Sequence, residues 1–392
     1  MNRISLTREI NISRVERLLD QIARQPEQDI ETHHQITGAS LGGEAALIQL
    51  FLTWAKQHPT GRLHLKIDSE DDGLGRLLEK LSKKAFGFVS MLMADDIVTS
   101  DGQTCRKEAF QSCKLRVELM TGSQTLESSV DNSVWGHRTF LPCVDHSTKA
   151  FITPFYHSNG QFRGRSEFRR FAEVLFRSRS RKFVEANRNV VHGLGAILYE
   201  LLHNTHDWAR TDVDDSPVKK SIRGVLFTRL HLPKESIAKA AGDNSAIAQY
   251  MHSTAAQGPG QYIDLAELSV FDAGPGLAAR WLANDEDENV DLSVSDEHQA
   301  CIACLGVHRT TSSDAYRGVG LFDVMNTLSE LSAMVRVRTG RVAMFRDFIA
   351  SPLVDEERES GPQLPLAAEH SSRPGGLAFA TGTMFTFLFP LK

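Results

Sequence analysis

No apolar run in this chain of 392 residues approaches the roughly 20 consecutive apolar residues that cross a bilayer as a helix. A helical membrane span is not expected. The amino terminus, MNRISLTREINISRVERLLD, lacks the uninterrupted oily core of a secretory signal. Cysteines are few, five in all, odd in number and irregularly placed, which suits reduced thiols better than a disulfide framework. A cytoplasmic protein is expected. Strong charge of one sign is missing as well: the net charge is −5, so no general attraction to nucleic acid or to anionic membrane follows from the totals. A nucleic-acid contact would have to be local and is not favoured.

What is present is enough chain for two globular domains, each with its own core. Over residues 1–160, ISRVERLLDQIAR and GEAALIQLFLTWAKQ have helical spacing while GRLHLKI and KAFITPFY read as short strands. That predicts a smaller mixed α/β domain without a recognisable chemical motif, a partner-binding or regulatory unit. From 161 to 392 the pattern predicts helices at SEFRRFAEVLFRSRSRKFVEANRN and GLGAILYELLHNTHDWA, with a break at VVHG. Strands follow at SIRGVLFTRLHL and AELSVFDAG, a helix at GVGLFDVMNTLSEL, a hairpin in AMVRVRTGRVAMFRDF and a closing strand, GTMFTFLFPL. Residues 350–376, rich in Pro, Ser, Gly and acids, read as a mobile loop between the last two strands.

The run AILYELLHNTHDWAR carries polar groups inside an otherwise oily helix. At about 100° per residue, Glu200, Asn204 and Asp207 fall in one narrow sector, with Ile197, Leu198, Leu201, Leu202 and Trp208 expected on an apolar face against a sheet. The stripe suits either a hydrogen-bonded polar seam or the wall of a cavity. Three more segments favour the cavity. SVFDAGPGL is an apolar strand ending in Asp272 and followed by Gly274 and Gly276, where backbone can approach a ligand beside a fixed carboxylate able to accept from an exocyclic amine. YRGVGLFDVMNTL sets Gly318 and Gly320 just before a helix, so that bare amides and the positive helix end can meet phosphates. TGTMFTFLFP puts Gly382 and Thr383 at the start of a strand, where a hydroxyl can join the same contact.

Taken in order, these four pieces resemble the GHKL superfamily, the ATP-binding domains of gyrase, heat-shock chaperones, histidine kinases and MutL. The resemblance covers roughly residues 165–392 and rests on the ordered set rather than on any one motif. It implies the Bergerat fold, a mixed sheet covered on one face by helices, with Mg-ATP held between helices and sheet. By the same resemblance Asn204 would hold the magnesium ion, Asp272 would read adenine, and Gly274 and Gly276 would shape the pocket behind it. Gly318, Val319, Gly320 and Leu321 would cradle phosphates at the hinge of a lid, and Thr383 would back up the base contact. Glu200 matches the glutamate that polarises the attacking water in the gyrase, chaperone and MutL branch, and Asp207 completes an Asn-x-x-Asp pattern similar to that branch. The resemblance therefore implies a slow ATPase used as a conformational switch.

The phosphate loop departs from the pattern, since Tyr316 stands where many members have a glycine, which implies a stiffer hinge. Those relatives take a cation for the γ-phosphate from a following domain; with Lys392 directly after the last strand, the cation is expected from His308 or Arg309 of the lid or from a partner subunit. Two other readings stay open: a protein serine kinase similar to stand-alone anti-sigma kinases, and a non-hydrolysing ATP sensor in a multi-protein regulatory or defence system. Partner contacts or homodimerisation are expected through the amino-terminal domain. His192, close to the ATP helix, lacks the flanking acid of a phosphoacceptor and reads as structural. Eight basic residues between Arg163 and Lys182, interleaved with Phe168, Phe171 and Phe176, read as a solvated or interdomain helix face. His298, Cys301, Cys304 and His308 have a metal-ligand spacing on a helix, although thiols inside an apolar helix more often belong to a core.

Overall fold

The computed structural model describes residues 3–33, 36, 40–66, 73–121, 134–135, 138–145, 155–157, 159–176, 181–283, 292–306, 320–373 and 375–392. Within them two sheets set the architecture, a mixed α/β one. The smaller sheet is built from β1 (Ile4–Ser5), α1 (Ile12–Arg24), β2 (Ile30–His33), α2 (Gly43–Gln57), β3 (Arg62–Lys66), α3 (Leu74–Ser82), α4 (Ala85–Met93), β4 (Asp96–Thr99) and α5 (Arg106–Thr121). Its strands run parallel in the order β1-β2-β3-β4, each joined to the next through helices, as parallel pairing requires. Helix α1 begins where the sequence says it should, because the Asn11 side chain accepts the Arg14 N–H at 2.8 Å and satisfies one of the free donors of the first turn.

The larger unit comprises β5 (Val134–Trp135), β6 (Arg138–Val144), α6 (Arg165–Phe176), α7 (Arg181–Ala186), α8 (Arg188–Trp208), β7 (Ile222–Pro233), α9 (Ile237–Ala241), α10 (Ser245–Ala256) and β8 (Tyr262–Phe271). It continues through α11 (Leu277–Leu282), α12 (Val294–Cys304), α13 (Gly320–Glu330), β9 (Met334–Gly340), β10 (Val342–Asp347), α14 (Asp355–Ser360) and β11 (Ala380–Pro390). The sheet order is β10-β9-β11-β8-β7-β6-β5. Every pairing in it is antiparallel rather than mixed. It also recruits β5 and β6 from before residue 160, because β6 pairs along its whole length with β7. The strand expected over KAFITPFY lies mostly outside the described residues; within them Tyr156 forms an isolated bridge with Phe162.

Two local expectations are corrected. Helix α8 runs unbroken through VVHG, and Gly193 is there for closeness rather than for a break: a Cβ on it would lie 2.8 Å from Thr327 Cγ2 of α13. Residues 350–376, where described, are anchored structure rather than a free loop. Arg346 of β10 donates to both carboxylate oxygens of Glu357, to the Gln363 carbonyl at 2.9 Å and to the Pro352 carbonyl at 2.9 Å.

Helices cover both faces of the larger sheet, not one. On the near face lie α6, α8, α11, α12 and α13; on the far face α2 packs across β11 and β8, with α1 and α10 beside it. The far face is polar as well as apolar. Glu16 of α1, buried, takes Arg338 Nε at 3.0 Å and Arg336 Nη2 at 3.2 Å, and Gly42 N–H donates to Glu267 of β8 at 2.6 Å. The two sheets therefore share a hydrogen-bonded boundary.

Candidate functional site

Between α8 and the near face of the sheet is a cavity of about 340 Å³. Glu200, Asn204 and Asp207 of α8 line it together with Asp272 at the end of β8, Gly276, Gly320, Leu321 and Thr383. The four segments singled out in the sequence thus meet around one space. Gly274 stands behind the wall rather than in it, and Gly318 and Val319 lie outside the described residues, as do Tyr316, His308 and Arg309.

Asp272 is the most constrained of these groups. The strand end buries it, and its Oδ1 accepts two backbone N–H bonds, from Gly274 at 2.9 Å and from Thr383 at 3.2 Å. Among the described residues Oδ2 has no protein partner, although the residue borders the cavity. Burial pushes the carboxyl up to about 6, against the opposing pull of those two amides. A carboxylate kept this way has one oxygen committed to the backbone and one available to a donor in the cavity.

Glu200 sits where α8 faces the start of α13. The carboxylate lies directly on Gly320, since a Cβ there would fall 2.4 Å from Glu200 Oε2. Any larger residue would push the acid away. Arg165 Nη2 reaches Glu200 Oε1 at 3.5 Å and Asp323 Oδ2 at 3.8 Å. Burial raises the Glu200 carboxyl above its ordinary value, with Arg165 opposing and Asp323 reinforcing the rise. One turn along, the Asn204 amide borders the cavity without a hydrogen-bond partner among the described residues. Asp207 Oδ2 lies 3.8 Å from His203 Nδ1.

Several residues of the site were not legible in the sequence. Trp208, expected against the sheet, lines the cavity with Trp281 and Leu277. Arg280 ties α11 to the end of α8, donating to the carbonyls of Trp208 at 3.1 Å, Thr211 at 2.6 Å and Asp212 at 2.9 Å. Beneath Thr205 runs a buried chain in which Arg223 donates to Thr205 Oγ1 at 3.2 Å, to both Asp145 oxygens and to the Tyr156 hydroxyl. Tyr156 Oη is 2.7 Å from His206 Nδ1. Burial, followed by the nearby Arg223 and Arg210, drops His206 to about 4, so its ring is neutral at pH 7. None of these pairs has a spacing that would announce it, because their members come from four separate segments.

His298, Cys301 and Cys304, the described residues of the metal spacing, are engaged in packing on α12, and His308 lies outside the described residues. His298 Nε2 faces the Leu364 carbonyl at 2.7 Å and Cys304 Sγ faces the Leu277 carbonyl at 3.6 Å. Burial pushes the Cys304 thiol up to about 12 and the buried Cys301 thiol well above its ordinary range, which disfavours the thiolates that zinc would need. Among the described residues no group of three or more His, Cys, Asp or Glu is arranged to hold a metal ion, and no helix is long and apolar enough to cross a membrane. No protein-family model, no curated protein and no solved structure matches the chain.

Proposed function

We propose that the chain binds Mg-ATP in this cavity, in a Bergerat-type arrangement, and hydrolyses it slowly as a conformational switch. The observation that carries this reading is Asp272: a buried carboxylate at a strand end with Oδ1 fixed by two amides and Oδ2 left for a cavity donor. An adenine amino group is such a donor. Asn204 would hold the magnesium ion through its side-chain oxygen, and its amide has no competing partner among the described residues. At the far end from Asp272, Gly320 at the amino terminus of α13 offers the phosphates the positive helix end.

Glu200 is the candidate base. Hydrolysis needs a carboxylate able to orient and deprotonate water near the terminal phosphate, and burial makes Glu200 a stronger base than a free glutamate. Arg165, paired with Glu200 in this structure, is the cation among the described residues that stands beside it. The amino-terminal layer packed on the far face of the sheet is the route by which the nucleotide state would reach a protein partner or a second copy.

The test is titration of Mg-ATP into the purified protein together with a γ-labelled turnover assay. Glu200→Ala is expected to bind ATP within about threefold of the native affinity while phosphate release falls by roughly 10²-fold or more. Label found on protein instead of as free phosphate would select the kinase reading. Binding without release, unchanged by Glu200→Ala, would select the sensor.

A further inference from the structure

Strand β11 is irregular where it passes the site. Between Ala380 and Thr383 its pairing with β9 slips. Gly382, at φ 71°, lies so close beneath Asp272 that a Cβ there would be 2.0 Å from the Asp272 carbonyl oxygen. A bulge leaves backbone groups without ladder partners, and buried ones must find them elsewhere. Here they come from α2, on the opposite face of the sheet. Thr381 N–H donates to Thr53 Oγ1 at 2.9 Å, and the Thr53 hydroxyl donates onward to the Gln49 carbonyl at 2.8 Å. Gln49 Nε2 donates to the Thr381 carbonyl at 3.3 Å and to the Arg338 carbonyl of β9 at 2.9 Å. Gln49 is 2% exposed and Thr53 0%. Two residues beyond Thr381, Thr383 gives its N–H to Asp272 Oδ1 at 3.2 Å and accepts the Asp272 N–H at 3.1 Å.

We propose that Gln49 and Thr53 are positioning residues for the nucleotide site: they fix the bulge, the bulge fixes the Thr383 amide, and that amide fixes the carboxylate of Asp272. The inference rests on the reading of Asp272 as the base-binding group. It makes the amino-terminal layer part of the site's machinery. A ligand or partner that shifts α2 weakens nucleotide binding, and nucleotide binding in turn stiffens α2, since the coupling is reciprocal.

The test uses the full chain and three variants. Thr53→Val keeps the shape and removes the hydroxyl, Thr53→Ser keeps the hydroxyl, and Gln49→Met removes the donor on the other side of the bulge. Three quantities are read: hydrogen exchange of the peptide spanning residues 380–384 without nucleotide, the affinity for Mg-ATP, and the pH midpoint of that affinity. In Thr53→Val and Gln49→Met, exchange is expected to accelerate about tenfold and affinity to fall about tenfold, the effect of one lost buried hydrogen bond. The pH midpoint should move upward, because an amide that opposes burial at Asp272 has been loosened. Thr53→Ser should restore all three. A purely structural role would lower thermal stability without moving the pH midpoint, and that outcome overturns the inference, as does unchanged exchange in both Thr53→Val and Gln49→Met. If the native protein binds no ATP, the proposed function falls, while the exchange data still decide whether α2 holds the bulge.

Discussion

Glu16 and Asp272 are both buried carboxylates against the same sheet, one on each face, and the protein treats them in opposite ways. Burial alone would raise Glu16, but Arg338 and Arg336, each within hydrogen-bond reach, hold its carboxyl below the ordinary value. Burial raises Asp272 to about 6, opposed by two backbone amides and, after them, by the charge of Arg223. On the far face both Glu16 oxygens are taken by guanidinium donors, while the near face keeps an oxygen of Asp272 and the amide of Asn204 without partners among the described residues. Structural carboxylates are satisfied within the fold; a carboxylate kept in reserve costs stability and is a candidate for binding.

The comparison can be broken by substitution and by pH. The largest effect is expected at Glu16. Glu16→Gln leaves the buried Arg338 guanidinium without its counter-charge and Arg336 with Glu369 alone, and should lower the unfolding free energy by roughly 3–5 kcal/mol, read by chemical denaturation. Asp272→Asn should act with the opposite sign. It retains an oxygen for the Gly274 and Thr383 amides and removes a charge that burial disfavours, so the nucleotide-free protein should gain roughly 1–3 kcal/mol at pH 7.5 while losing ATP binding. A purely structural Asp272 would instead be destabilised by the change.

The pH dependence follows from the same pair. Asp272 is raised from the ordinary 3.8 to about 6, so its contribution to stability is full below about 4 and is lost as pH rises through 6. ATP affinity runs the other way, falling as pH drops through about 6, because the protonated acid no longer offers a carboxylate to a base amine. Glu16, lowered from 4.5, contributes stability above that value and loses it as pH falls through its folded value. The smallest expected effect on stability is that of Gly320→Ala. Its methyl would overlap Glu200 Oε2, so turnover should fall by about tenfold or more for a displaced base, with the unfolding midpoint nearly unchanged.

Much of the helical framework on both faces could be read from the sequence, because its elements have local signatures. The apolar spacing and the Asn11 cap give α1 its limits, and α2 spans the residues that the pattern marked. The polar stripe of α8 borders the cavity because spacings of four and three return to one side of a helix. What stayed hidden is long-range. The hold of α2 on residues 380–383 joins positions more than 300 apart, and the Asp145–Arg223–Thr205 chain joins three segments. Hydrogen bonds of that kind leave no period in a sequence. The two local misreadings have the same origin: a glycine in α8 that admits α13, and a loop that Arg346 holds from β10, are tertiary effects that composition alone assigns to a break and to disorder.

The most direct test of the account is calorimetric titration of Mg-ATP into the native protein and into Asp272→Asn, both at pH 7.5 and both shown to be folded by thermal unfolding. The account predicts saturable binding to the native chain and none to a variant that melts at the same or a higher temperature. Equal isotherms for the two proteins, or no binding to either, would contradict it.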